Sequence, residues 1–373
     1  MKIMYCIRGL HNSGGMERVL SVKANLLASR GHEVTIAVLR LKGRKPFFPL
    51  SPSVGILDLS DSGRFRGTVR KRLARAVREI DPDVCVSLCG MEVYALPAVA
   101  GGRPCVAEYH FSHDKFFRKY HGALLYPYAL LRTRLLVNAL KKFDCMVTLT
   151  GRDLPVWKKY CRRVERIFNP VTTPPGRFST LEGKRMIAVG RLEEQKNFRD
   201  LVDAWAIVAG SHPDWHLDIF GEGKLWQSLR AQIGRLGLDG AVTLRGVVKD
   251  IAAEYQQASA LVMSSIHEGF PLALVEASSF GLPLISYDCP TGPSEIITDA
   301  MSGSEDANGF LVPVGDVEAL ADRICRVAGD RELRMRLGAA SEKSSGRFSP
   351  EVVISVWERL FVSLVREKGP AHS

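Results

Sequence analysis

The chain is predicted to fold as an α/β protein of two similar halves, each a parallel β-sheet covered by helices. Three observations predict it. Short apolar runs alternate with segments of helical period from end to end, the pattern of parallel strands joined by crossover helices. The alternation is interrupted by NPVTTPPGRFSTLEG, Asn169 to Gly183, a stretch of Pro, Thr and Gly suited to a linker. Finally, 373 residues with 46% hydrophobic content exceed one core, since single cores stop growing near roughly 250–300 residues. The expected domains are 1–170 and 185–348, with a linker at 171–184 and a terminal helix at 349–373.

In the first half, strands are expected at Lys2–Ile7, Glu33–Leu39, Val84–Leu88, Cys105–Glu108 and Cys145–Leu149. Helices are expected at Met16–Ser29, where apolar residues recur at helical spacing, and at Thr68–Glu79, Ala123–Leu140 and Asp153–Tyr160. Ligands bind such sheets beyond the carboxyl ends of their strands. The residues that follow each strand therefore matter most. Gly14 and Gly15 lie between the first strand and its helix, where absent side chains let a ligand approach backbone N–H groups, although an ordinary turn has the same residues. Glu108-Tyr109-His110 follows the fourth strand, ahead of a polar segment with His113 and His121. Asp81-Pro82-Asp83 reads as a turn.

The second half opens with strand Arg185–Val189, loop GRLEEQKN and helix Phe198–Ala209. Arg191 and Lys196 flank that helix start, where the helix dipole disfavours cations unless an anion is bound, and Glu193 and Glu194 offset part of the repulsion. Strands Leu217–Phe220, Ala241–Leu244 and Ala260–Met263 follow, with helices Leu225–Leu236 and Ile251–Ala258 between them. A last strand at 308–312, helices Val317–Ala328 and Arg331–Glu342, and a terminal helix Pro350–Val365 complete the chain.

Charge divides unevenly. Residues 1–180 hold 31 Lys and Arg against 13 Asp and Glu; the remainder holds 20 against 27. The basic half suits an anionic partner: nucleic acid, an anionic membrane surface or a phospholipid-type acceptor. Two basic, apolar segments suit an interface: Arg64 to Arg78, and Phe116 to Leu140. Both also suit helices packed on a sheet with a solvated basic face. No signal peptide is expected, and no apolar run approaches the roughly 18 residues of a membrane helix. The eight cysteines are scattered through apolar runs, without ligand spacing for zinc, and are expected to be reduced.

The stretch most informative about function is 262–295, VMSSIHEGFPLALVEASSFGLPLISYDCPTGPSE. It reads as strand end, polar loop with His267 and Glu268, turn Gly269-Phe270-Pro271, then an apolar helix. Pro271 is expected in the first helical turn, and the following N–H groups would face an anion above the strand end. Glu268 and Glu276 frame the turn. Paired carboxylates accept hydrogen bonds from vicinal hydroxyls, so a sugar beside an anion, a nucleotide sugar, fits the pair.

Glu, seven residues, Glu, read with Gly269-Phe270-Pro271 and the Gly-Leu-Pro at 281–283, resembles the donor-site signature of retaining glycosyltransferases of family 4. The resemblance extends to Gly14-Gly15-Met16-Glu17-Arg18, to Gly190-Arg191-Leu192 with Lys196-Asn197, and to the element order. It implies the GT-B fold: two Rossmann-like domains whose parallel sheets face a deep inter-domain cleft, with the terminal helix crossing back to the first domain. It also implies transfer of a sugar from a nucleoside diphosphate donor to a glycan or lipid-linked acceptor, without a metal or other cofactor. Arg191 and Lys196 would meet the donor diphosphate, Glu276 the ribose, Glu268 the sugar hydroxyls, and His110 the region of the reacting carbon. Gly14, Gly15, Gly269, Phe270, Pro271 and Leu272 would line the donor. The 246–250 loop resembles the family's base-binding segment. Gly292-Pro293-Ser294-Glu295 after Tyr287-Asp288-Cys289 resembles members that build bacterial surface polysaccharide or lipopolysaccharide, which points to a UDP-sugar. The expected place is the cytoplasm, with peripheral contact at the cytoplasmic face of the inner membrane left open and no nucleic acid expected. The competing readings are a GT-B epimerase or phosphorylase, and a basic binding module for nucleic acid or membrane.

Overall fold

The computed structural model describes residues 1–61, 67–120, 122 and 124–369. Arg64 and Arg66 of the basic stretch, His121, and the expected helix start at Ala123 lie outside them. The chain divides into two compact units, Met1–Pro170 with Pro350–Ser373, and Val171–Ser349.

The first unit runs β1 (Lys2–Ile7), α1 (Gly15–Ser29), β2 (Glu33–Val38), β3 (Gly55–Asp58), α2 (Val69–Ile80), β4 (Val84–Ser87), β5 (Cys105–Tyr109), α3 (Lys115–Lys119), α4 (Tyr126–Leu140), β6 (Cys145–Thr148), α5 (Leu154–Lys158) and β7 (Val164–Arg166). Its sheet has the order β3-β2-β1-β4-β5-β6-β7. Every pairing is parallel. Strand residues alternate between two apolar layers, as a pleat requires. Ile3 and Tyr5 of β1 face a layer shared with α1, while Met4 and Cys6 face one shared with α2 and α4. Burial on both faces explains why the strands read as continuous apolar runs.

The second unit runs β8 (Arg185–Val189), α6 (Phe198–Ser211), β9 (His216–Phe220), α7 (Trp226–Arg235), β10 (Val242–Gly246), α8 (Ile251–Gln257), β11 (Ala260–Met263), α9 (Leu272–Ser279), β12 (Leu284–Tyr287), α10 (Pro293–Ile296), β13 (Gly309–Val312), α11 (Val317–Gly329) and α12 (Arg331–Ser345). Its parallel sheet has the order β10-β9-β8-β11-β12-β13. Each sheet therefore grows in one direction from its first strand and then in the other. The switch falls between β1 and β4 in one unit and between β8 and β11 in the other, where open α/β sheets bind ligands.

Three strands escaped the sequence reading. Edge strands β3 and β7 are four and three residues long, and β12 lies inside the longer apolar run after Phe280. Residues 171–184, expected as a linker, are fastened to the second unit. Ser179 N–H donates to Phe280 O at 3.0 Å, and Arg334 Nε donates to Leu181 O at 3.0 Å. Val69, Leu73, Ala76 and Val77 are the apolar residues that the basic segment offers for one face; in α2 the last three are buried against the first sheet and Val69 packs partly buried against the same layer. Among the described residues no helix is long and apolar enough to cross a membrane.

The last helix, α13 (Pro350–Lys368), belongs to the first unit and places Trp357 and Phe361 in its core. Beneath it lies a buried ion pair. Lys23 of α1 donates from Nζ to both oxygens of Glu108 on β5, at 2.5 Å each, and both side chains are 1% exposed. The ammonium sits 4.2 Å from the Trp357 ring centre and 5.3 Å from that of Tyr5, a cation–π arrangement. Burial pulls Lys23 below its ordinary pKa against the pull of Glu108. Burial alone would raise Glu108, but Lys23 and then His110 outweigh it and hold the carboxyl at about 2.

Lys23→Met leaves a buried carboxylate without its partner and should cost about 3–5 kcal/mol in denaturant unfolding; Lys23→Met with Glu108→Gln should recover most of it. Because the folded value of Glu108 lies below its unfolded value of about 4.3, its contribution is complete above that pH and is lost as pH falls towards 2. The double variant should lose that part of the acid dependence.

Candidate active site

At the switch point of the second unit, three strand-end loops are joined backbone to backbone. Gly190 N–H donates to Phe220 O and Leu192 N–H to Glu222 O, both at 2.9 Å, and Gly221 N–H donates to Gly246 O at 2.8 Å. Gly221 has φ +134°, and a Cβ there would lie 1.9 Å from Gly190 O; one on Gly223 would lie 2.4 Å from Leu192 O. Only glycine permits so close an approach.

The loop after β8 then makes a short 3₁₀ turn, Glu194–Lys196. Asn197, at φ 48°, turns it into α6 in the left-handed conformation that Asn tolerates. This loop is laced to the one after β11. Gln195 Nε2 donates to His267 O at 2.8 Å, Ile266 N–H to Gln195 O at 3.0 Å, and Ser264 Oγ to Lys196 O at 3.0 Å. The consequence is a fixed pair: Lys196 Nζ lies 2.6 Å from Glu268 Oε1, with the side chains 18% and 9% exposed. The stem of Lys196 crosses Gly190, where a Cβ would meet its Cε at 3.0 Å.

Gly269, Phe270 and Pro271 carry the chain from Glu268 into α9. The Phe270 ring meets Phe348 edge-on at 5.8 Å between centres. Thr291 Oγ1 donates to the carbonyl oxygen of Glu268. Pro271 occupies the N-cap, one position before the first helical turn in which it was expected, because α9 begins at Leu272. Its place is fixed by Gly292, at φ +102°, where a Cβ would come within 2.5 Å of Pro271 Cδ. The N–H groups of Leu272 and Ala273 head the helix without a preceding helical carbonyl to bond.

Glu276, four residues into α9, is 3% exposed. Its Oε1 accepts from Thr172 Oγ1 at 2.5 Å and Thr173 Oγ1 at 3.3 Å, and its Oε2 accepts from Tyr255 Oη at 3.1 Å. These hydroxyls were not found from sequence: two come from the expected linker and the third from α8. A carboxylate offers about four acceptor positions, and these three hydroxyls hold both oxygens of Glu276 in place. Arg191, by contrast, is 71% exposed, with Nη1 3.3 Å from Glu193 Oε1, the offset its sequence neighbours suggested.

The remaining candidates belong to the first unit. Gly14 is the N-cap of α1, and Gly15 its first residue. The Glu17 carboxylate folds back over Gly14, where a Cβ would meet its Oε2 at 2.5 Å, and also accepts from Asn12 Nδ2 at 3.3 Å. His110 follows β5 with its side chain 7% exposed and Nε2 3.0 Å from Glu108 Oε1, so the buried Lys23–Glu108 pair extends to it. His113 instead meets Asp153 at 2.8 Å, and that hydrogen bond raises its pKa. Asp81 pairs with Arg103 at 2.5 Å, whereas Asp83 accepts from the Lys2 N–H at 2.7 Å; the two carboxylates have separate partners.

Two doubly wound parallel sheets in successive units, one with a lysine–glutamate pair and a helix start at its switch point, are the architecture of the GT-B class. The family described as "Glycosyl transferases group 1" matches residues 177–344, and the "Glycosyltransferase Family 4" matches residues 13–173. The chain belongs to glycosyltransferase family 4. An exopolysaccharide phosphotransferase of Streptomyces coelicolor is 29% identical over 99% of this chain, which spans 41% of that protein's length. A Campylobacter jejuni transferase that adds N-acetylgalactosamine to a diphosphoundecaprenol-linked saccharide is 26% identical over 98% of this chain and 99% of its own. Among solved structures, HepE of Anabaena in complex with UDP has the same fold, with TM-score 0.75 and 18% identity over 97% of this chain and 100% of that one.

Gly221→Ala should cost about 3 kcal/mol or more in thermal unfolding, because strain at positive φ adds to the collision with Gly190 O. Gly237→Ala, at φ +68° with nothing within 4 Å of the added methyl, should cost only about 1–2 kcal/mol.

Proposed function

We propose that this glycosyltransferase moves a sugar from a UDP-sugar, with retention at the anomeric carbon, onto a lipid-linked saccharide in the synthesis of a bacterial surface polysaccharide. The observation that carries the reading is the Lys196–Glu268 pair, held 2.6 Å apart beside the start of α9. Charge builds on the departing diphosphate, and cations with backbone N–H groups fixed there stabilise the transition state more than the ground state. Lys196 spends one of its three N–H donors on Glu268 and can direct others to phosphate oxygens. Glu268 keeps an oxygen for the hydroxyls of the donor sugar, Glu276 takes the ribose, and Arg191 swings onto the diphosphate from the rim. These groups carry the charge without a metal. Same-face attack, in which the leaving phosphate accepts the acceptor's proton, then retains configuration. The resemblance gives Gly14, Gly15 and His110 a part in the same reaction. UDP is supported by the HepE complex, and a lipid-linked acceptor by the Campylobacter relative.

Peripheral membrane contact is assigned to the first unit through α4 and the residues just before it. Leu124, Tyr128, Leu131 and Leu135 recur at helical spacing on one outward face, exposed from 41% to 97%, with Arg132 and Arg134 between them. An apolar helix face rimmed by arginine suits an anionic bilayer.

UDP at 100 times its dissociation constant should stabilise the protein by about 2.7 kcal/mol in a thermal-shift assay, and Glu276→Ala should abolish the shift. Lys196→Met should lower kcat by about 10²–10³, whereas EDTA should leave it unchanged. Turnover of Lys196→Met within twofold of the parent would refute the role given to that side chain. Vesicles of anionic phospholipid should sediment the protein, and Leu131→Glu with Leu135→Glu should release it while UDP binding persists.

A further inference from the structure

The first unit holds a cavity of about 580 Å³, within the roughly 300–1,000 Å³ of small-molecule sites. It opens at that unit's own switch point. Ile7 ends β1 on one wall, and Leu88 follows β4 on another. Five cations line it, Arg8, Arg40, Lys42, Arg44 and Lys115, against one carboxylate, Glu17. They arrive from three directions: Arg8 follows β1, the next three follow β2, and Lys115 opens α3 beyond β5.

Ordinary surface cations find carboxylates or scatter into solvent, but these converge on a concavity. Among the described residues, none of Arg8, Arg40, Lys42 and Arg44 has a carboxylate within 4.0 Å. The nearby acid, Asp58 of β3, is spent on fixing the loop. Its Oδ1 accepts from Ser60 N–H at 2.8 Å and Ser60 Oγ at 2.5 Å, and its Oδ2 from Gly43 N–H at 3.2 Å. Ser60 Oγ in turn accepts from the Lys42 N–H at 2.9 Å. Lys42 is thereby held at φ 54°, a conformation costly for a residue with a Cβ. The loop that presents Arg40, Lys42 and Arg44 is therefore a built one. On the far wall, Lys115 Nζ rests 3.2 Å from the centre of the Phe111 ring, and burial pulls its pKa down to about 8. A half-buried ammonium resting on a ring, with Lys119 and Arg132 as cationic neighbours, gains from an anion in the cavity it lines.

We propose that this cavity binds a phosphoryl group of the acceptor, held by Arg8, Arg40, Lys42, Arg44 and Lys115. The proposal rests on the glycosyltransferase reading for the word acceptor, but not for the anion. A single sugar carboxylate would neutralise one of five cations, whereas a diphosphate neutralises two or three. The phosphoryl group reaches the cavity as the diphosphate of a lipid-linked saccharide or as the phosphodiester of a phosphate-bearing glycan.

The test is isothermal titration of the full chain with inorganic pyrophosphate, at low salt, after saturation with UDP so that the second unit's site is filled. Pyrophosphate should still bind, and Arg40→Ala with Arg44→Ala, two exposed changes, should weaken it roughly tenfold while UDP affinity stays within twofold. Farnesyl diphosphate binding more tightly than pyrophosphate supports the lipid-linked source. Glycerophosphoglycerol binding as tightly as farnesyl diphosphate supports the phosphate-bearing glycan. Loss of all pyrophosphate binding under UDP saturation, or binding indifferent to the Arg40 and Arg44 changes, overturns the proposal and leaves the donor reading intact. Arg40- and Arg44-dependent pyrophosphate binding in a protein that binds no UDP has the opposite meaning: the cavity assignment stands and the donor reading falls.

Discussion

A parallel sheet wound outward in both directions from its first strand has one place where neighbouring connections part to opposite faces. Beyond that place, strand ends and helix starts face open space. Both units obey this constraint, one at β1 and β4, the other at β8 and β11. The Lys196–Glu268 pair and the basic cavity of the first unit gather at those two gaps. The contents differ: the second unit supplies a paired cation and carboxylate with a helix start, and the first supplies cations in excess.

The second gap shows what it takes to hold charge at a strand end. An ion pair with both side chains less than one-fifth exposed repays its desolvation only if geometry is held. Holding is done by uncharged groups. Glycines at 190, 221 and 223 let three loops share backbone hydrogen bonds, and Gln195 and Ser264 fasten the lysine loop to the glutamate loop. The same division of labour recurs in the first unit, where Asp58 and Ser60 fix the loop that carries Arg40, Lys42 and Arg44.

Much of this was legible in the sequence, for reasons that differ by residue. Central strands and long helices could be read because burial on one or two faces writes apolar period into them. β3 and β7 could not, being short edge strands with little to bury. Glu268 and Glu276 stood out through the family resemblance that their setting around Gly269-Phe270-Pro271 carries, yet the partners of Glu276 did not: Thr172, Thr173 and Tyr255 are 104, 103 and 21 positions away. Lys23 is the sharpest case. In sequence it is a lysine in an amphipathic helix, indistinguishable from a solvated one, and only the tertiary fold brings it to Glu108, 85 residues on. The helix α2 stayed open between two readings, since an arginine-rich amphipathic segment reads alike whether its apolar face meets lipid or a sheet; the fold selects the sheet.

Trp357 sets an order of events during synthesis. It stands over the Lys23 ammonium within the first unit, but the whole of the second unit is translated between the two. A nascent chain that has made every strand of the first sheet still lacks the helix that seals one of its faces, with Val353, Ile354, Trp357 and Phe361 all to come. The second unit, from Val171 to Ser349, has all its parts while the first waits with a charged pair half covered. The domain that emerges first is thus the one completed last.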